Sequence, residues 1–160
     1  MVEIAGLDRM LLEHPFFAGM APEQAAFVAG CGRNVVVEAG AWLFREGEAA
    51  DQFYLLRHGR VTLELRAPGR EPLIFDTLGE GDIVGWSWLL PPFCWSMDAR
   101  AQTLVRVVAL DAHCLRDKLD SDPALGYALL RRFVPVMGRR LQAARLQLAD
   151  LYARPQGGRG

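Results

Sequence analysis

Cysteine is scarce in this chain of 160 residues: Cys31, Cys94 and Cys114 stand far apart, odd in number, with no CxxC pair. That spacing excludes a zinc ribbon or an iron–sulfur cluster and argues against a disulfide framework, so three small buried thiols are expected. Histidine is as rare. His14, His58 and His113 have no ligand-type neighbour at i,i+4, so none is expected to hold a metal. No apolar run reaches the roughly 18 residues of a membrane span. The N-terminus, MVEIAGLDRMLLEHPFF, is broken by acids and lacks a basic-then-apolar signal, so a cytoplasmic protein is expected. Excess charge is missing too. A formal net charge of -1 gives no electrostatic attraction to nucleic acid or an anionic membrane, so neither partner is expected.

What the chain does have is concentrated between Leu78 and Gln102. This stretch holds Trp86, Trp88 and Trp95, three of the four tryptophans, with Phe93 and the Pro91-Pro92 pair. Between Asp82 and Arg100 there is no Lys, Arg or His. Such a segment is suited to line an apolar pocket or to pack a core, and its own chemistry is poor for holding phosphate.

Around it the hydrophobic period changes twice. Leu7, Met10 and Leu11, then Phe27 and Val28, fit two short helices at 6–13 and 22–29, with Pro22 in a first turn and His14-Pro15-Phe16-Phe17 as an apolar plug between them. From Arg33 the pattern alternates: Val35 and Val37, Leu43, Phe53 and Leu55, Val61 to Leu65, Leu73 and Phe75. After the aromatic stretch come Met97, Ala99 and Ala101, then Val105, Val107 and Ala109. Glycine and proline turns separate these runs, as in a sandwich, barrel or jelly roll of about eight short strands. After Asp111 the period is helical again. Asp122 is a candidate N-cap, and Pro135 is expected to kink or restart the helix. Val134, Met137, Leu141, Ala144, Leu148 and Leu151 alternate steps of three and four, a coiled-coil seam expected to pair with a second copy of the chain. Arg139, Arg140, Arg145 and Asp150 lie off that seam, where a solvated flank is expected.

Phe44-Arg45-Glu46-Gly47-Glu48, Phe53-Tyr54-Leu55-Leu56, His58-Gly59-Arg60-Val61, Gly79-Glu80-Gly81-Asp82-Ile83-Val84-Gly85, Leu89-Leu90 and Arg131-Arg132 occur in this order. The arrangement resembles the cyclic-nucleotide-binding domain of the catabolite-activator superfamily over residues 10–152. The resemblance implies a mainly β fold, a β-roll of jelly-roll type, with two short N-terminal helices, a long C-terminal helix and a phosphate-binding cassette. The expected organisation is one domain over 1–153: helices in 6–30, the roll in 33–110, helices in 111–153 with a dimerisation helix at 135–152, and a disordered tail at 154–160. In the family a Glu after the cassette glycine holds the ribose and an Arg neutralises the cyclic phosphate. Here those slots carry Trp86 and Trp95, and Arg100 falls on the opposite strand face. Cyclic AMP and cyclic GMP are therefore expected to bind weakly or not at all. Relatives that bind DNA carry a helix-turn-helix after the long helix; the residues up to Gly160 hold none, so direct DNA binding is not expected of them.

Several functions follow as expectations. One is a dimeric small-molecule sensor whose candidate pocket residues are Ile83, Gly85, Trp86, Ser87, Trp88, Leu89, Phe93, Trp95, Ser96 and Met97. Another is a dimeric interaction module without a ligand, its former pocket filled by its own tryptophans and its partner protein unidentified. A sensor of haem or an apolar metabolite is a further alternative, for which His58 and His113 are the poorly placed axial candidates. Catalysis is not expected, because Ser87, Cys94, Ser96 and Asp98 have no histidine nearby to form a nucleophile–base pair.

Overall fold

The computed structural model describes residues 6–153; the tail expected to be disordered, 154–160, lies outside them. Helix α1 (Leu7–Glu13) buries Leu7 and Leu11, and helix α2 (Pro22–Ala29) starts on Pro22. Between them Pro15–Phe17 forms a 3-10 turn whose Phe16 and Phe17 are buried. The plug is held by His14, which is buried: its Nδ1 accepts the Phe16 N–H at 3.1 Å and its Nε2 lies 3.1 Å from the Leu56 carbonyl.

Eight strands follow: β1 (Gly32–Val37), β2 (Trp42–Phe44), β3 (Gln52–His58), β4 (Val61–Leu65), β5 (Leu73–Leu78), β6 (Ile83–Val84), β7 (Asp98–Ala101) and β8 (Val105–Asp111). They form two four-stranded antiparallel sheets ordered β1-β8-β3-β6 and β2-β7-β4-β5. Most of the alternating apolar positions read from the sequence meet between these sheets, as in a jelly roll, whereas Leu65 and Leu73, at the ends of paired strands β4 and β5, are exposed. Strand β4 departs from simple alternation, since Val61, Thr62, Leu63 and Glu64 are all buried. Its outer face lies beside a cluster in which buried Asp98 meets Arg45 at 3.4 Å and Arg66 at 3.3 Å and accepts the Glu46 N–H at 2.7 Å.

Two expectations are corrected by the chain's packing. The cysteines do not all stand alone: Cys31 and Cys114 form a disulfide. The β1–β8 register is the cause. It sets Gly32 against Leu110 and lets the Asp111 N–H bond the Cys31 carbonyl at 2.8 Å, so the residue before β1 meets the first turn of helix α3 (Ala112–Ser121). Cys94 is free, and it is exposed rather than buried. The second correction concerns Pro135. Of the kink or restart expected there, the restart is overturned: helix α4 runs as one element from Pro123 to Ala153 with Pro135 inside it. Proline removes the hydrogen bond to the Arg131 carbonyl, but both residues are exposed, so water can take the place of that donor. Asp122 does act at the start of α4, accepting the Leu125 N–H at 3.2 Å.

Candidate functional site

The aromatic stretch begins where β6 ends at Gly85. This residue has φ +82°, a left-handed conformation that suits glycine and turns the chain sharply out of the sheet. Trp86 then precedes a single 3-10 turn, Ser87–Leu89. Three residues do not build a helix dipole, so this turn has no end that attracts an anion.

The three tryptophans separate into two roles. Trp88 is fully buried, stacked on Phe53 with ring centres 5.1 Å apart and tilted against Phe133 of α4 at 5.7 Å. Phe16 joins the same cluster through Phe53 and Phe133, so this ring ties the N-terminal plug, the roll and α4 together. Arg116 of α3 fixes the turn by donating to the Trp88 carbonyl at 2.6 Å and lying 4.2 Å over the Phe93 ring. Trp95 is only 4% exposed and lies parallel to Phe44, with ring centres 3.7 Å apart and planes within 7°. The rim of its six-membered ring meets Gly85, where an added Cβ would lie 2.7 Å from Trp95 Cη2. The slot between Gly85 and Phe44 is thus filled by an indole. Backbone bonds hold it there: Trp95 N donates to Glu48 O, and Gly47 N to Trp95 O, both at 2.9 Å.

Trp86 behaves differently. It is half-buried and borders a cavity of about 630 Å³ between the second sheet and α4. Leu63, Phe75 and Met97 form the sheet wall, and Val134, Met137, Leu141 and Ala144 the helix wall. That volume falls within the range of small-molecule sites, and the walls are mostly apolar. Of the ten candidate residues, only Trp86 and Met97 line this cavity. Ile83 is buried and borders a second groove of about 930 Å³ between the N-terminal segment and α4. Gly85, Trp88 and Trp95 are packed inside, Ser87, Leu89 and Phe93 are half-buried away from both spaces, and Ser96 is exposed.

Sequence reasoning missed Leu63, Phe75, Asp76 and above all Arg140. Rather than lying on a solvated flank, Arg140 is half-buried: its Nη2 donates to the Ile83 carbonyl and its guanidinium lies 5.3 Å from the Trp86 ring centre. Its Nη1 is buried with no hydrogen-bond partner, and it makes no ion pair among the described residues. Burial is the largest influence on this group and lowers its pKa, against the opposing fields of Asp76 and Asp82. The heptad pattern counted only the seam, and Arg140 sits one position before Leu141 on the side turned to the roll. A signal was available in its spacing from Gln147, two turns on, which donates to the Phe75 carbonyl at 3.0 Å.

The seam itself is open to solvent in the single chain. Val134, Leu141, Leu148 and Leu151 are each more than half exposed, Ala144 is exposed and Met137 half-buried. Among the described residues no group of three or more His, Cys, Asp or Glu is placed to hold a metal, and no helix is long and apolar enough to cross a membrane. His58 and His113 are exposed and border neither cavity.

Comparison with known proteins gives a consistent picture. A family model described as "Cyclic nucleotide-binding domain" matches residues 34–122. The chain is 32% identical over 146 residues to a "CRP-like cAMP-activated global transcriptional regulator" of Mycobacterium tuberculosis. That match covers 91% of this chain and 63% of the relative, so the chain spans less than two thirds of that relative's length. Among solved structures it is similar to a putative cyclic nucleotide-binding protein from Geobacter metallireducens, at 28% identity and TM-score 0.75, covering 88% of this chain and 99% of that one. It is also similar to the catabolite activator protein of Thermus thermophilus, at 25% identity and TM-score 0.69, covering 86% and 63%.

Proposed function

The chain belongs to the cyclic nucleotide-binding domain family, and from that premise we propose that it is a dimeric sensor whose ligand is not a cyclic nucleotide. The cavity between the second sheet and α4 is its ligand site. The observation that carries this reading is the division of labour among the tryptophans: Trp95 fills the slot beside Gly85, while Trp86 faces an apolar cavity. At the position filled by Trp95 a cyclic phosphate would find no cation, and the cation on the cavity wall, Arg140, is tied to the Ile83 carbonyl. Losing one partner of a buried charge pair costs roughly 2–5 kcal/mol, about 30- to 4000-fold in affinity. The polar groups on the cavity wall are Arg140, Asp76 and Gln147, too few to satisfy a ribose and a purine edge together.

Pairing of two chains through α4 accounts for the exposed seam. Val134, Met137, Leu141 and Ala144 belong both to the seam and to the cavity wall, so a second helix laid on them would cover the cavity mouth. Regulation through a partner or an attached domain, residence in the cytoplasm and absence of catalysis are parts of the same proposal. In a reducing cytoplasm the Cys31–Cys114 bond would be open to reduction. A second reading, a ligand-free interaction module, draws support from the burial of Trp88 and Trp95.

The two readings part in a thermal-shift screen of small apolar compounds against the parent and Met97→Trp, which fills the cavity from the sheet side. The sensor reading expects at least one compound that raises the parent's melting temperature and leaves Met97→Trp unmoved. A screen in which no compound distinguishes the two proteins would favour the module.

A further inference from the structure

We propose that the cavity's ligand is a small aromatic carboxylate, its anionic group bound by Arg140 and its ring laid among Trp86, Phe75 and Met97. This rests on the reading of that cavity as the ligand site. Arg140 has the chemistry for the task. It lines this cavity and also the groove on the N-terminal side. Its Nη2 is committed to the Ile83 carbonyl, whereas Nη1 is buried in the single chain with nothing to donate to, and a ligand reaches it once the side chains covering it move. A buried guanidinium N–H without an acceptor is costly, and a carboxylate oxygen is the acceptor that satisfies it with a charge-assisted bond. Asp76 lies on the same wall but makes no ion pair with Arg140, and one of its oxygens is already occupied by the Thr77 N–H at 2.9 Å.

The neighbours narrow the ligand further. One guanidinium nitrogen without an acceptor, beside one acidic residue, suits a monoanion and disfavours a dianion such as a phosphate monoester, because Asp76 repels a second negative charge. Trp86 offers its face to the guanidinium at 5.3 Å and borders the cavity, so a planar ring can lie against aromatic and thioether side chains below the anionic group. The remaining sheet wall, Leu63, has no polar group to offer a sugar or a polyol. A flat apolar body with one carboxylate at the helix end satisfies each of these constraints.

The experiment is calorimetry and thermal shift on the full chain with phenylacetate and indole-3-acetate, each beside its neutral amide, and with cyclic AMP as a contrast. The expected result is that an arylacetate binds the parent at least about tenfold more tightly than its amide. Arg140→Gln should weaken the acid by about thirtyfold or more and leave the amide nearly unchanged. Should Arg140→Gln fail to fold, Met97→Trp, which keeps Arg140, must abolish binding of acid and amide together. Equal binding of acid and amide, or no binding of either acid, overturns the inference. In both cases the sensor reading is decided separately, by whether a neutral compound shifts the parent and spares Met97→Trp. Preference for cyclic AMP over the arylacetates overturns the inference and the sensor reading together.

Discussion

Substituting Gly85 tests the filled slot directly, because two independent costs meet at that residue. The first is the backbone: at φ +82° an alanine pays roughly 1–2 kcal/mol for a left-handed conformation. The second is space, since the new Cβ would overlap the rim of the Trp95 ring, which is held by its stack on Phe44 at 3.7 Å. Overpacking of this kind costs about 1–3 kcal/mol. Gly85→Ala in the parent should therefore lose about 2–5 kcal/mol, read from equilibrium urea melts at constant slope. Trp95→Ala alone should lose about 3–5 kcal/mol, as large buried rings do. In the Trp95→Ala background the overlap has gone, and Gly85→Ala should cost only its backbone share. The double-mutant cycle then reports a coupling of about 1–3 kcal/mol. An equal cost of Gly85→Ala in both backgrounds would refute the reasoning, for it would mean that no indole sits against the glycine.

Further outcomes follow from other parts of the molecule. Burial holds the His14 pKa below its ordinary 6.5, and both ring nitrogens are engaged in the neutral form. Because the unfolded chain takes up the proton first, His14's contribution to stability is full above about pH 6.5 and is lost as pH falls toward the lowered folded value; pH-dependent urea melts should show this slope, flattened in His14→Gln. Cys31→Ser should cost about 2–4 kcal/mol, with dithiothreitol destabilising the parent to a similar degree and the variant not at all. Leu148→Glu, on the exposed seam and clear of the cavity, should convert a dimer mass in light scattering to a monomer mass without lowering monomer stability.

Much of the fold was legible because it is written in local periods. The alternation of Val105, Val107 and Ala109, or the plug of Phe16 and Phe17, needs only neighbours in sequence to be read. The features that escaped depend on residues far apart. Cys31 and Cys114 are 83 positions apart and meet only because of the β1–β8 register. Composition alone could not decide whether Trp88 and Trp95 line a cavity or fill one, since the answer lies with Phe133 and Phe44 across the core. Arg140 carries the most chemistry in the candidate site, yet in the sequence it looks like any flank residue. Its environment is made by Ile83 and Trp86, more than fifty positions earlier.

The most direct test of the central claim is titration calorimetry with cyclic AMP on the full chain. If an indole occupies the place where a phosphate-neutralising cation would be needed, no saturable binding should appear below about 100 µM. A clean isotherm at low-micromolar affinity would contradict the account.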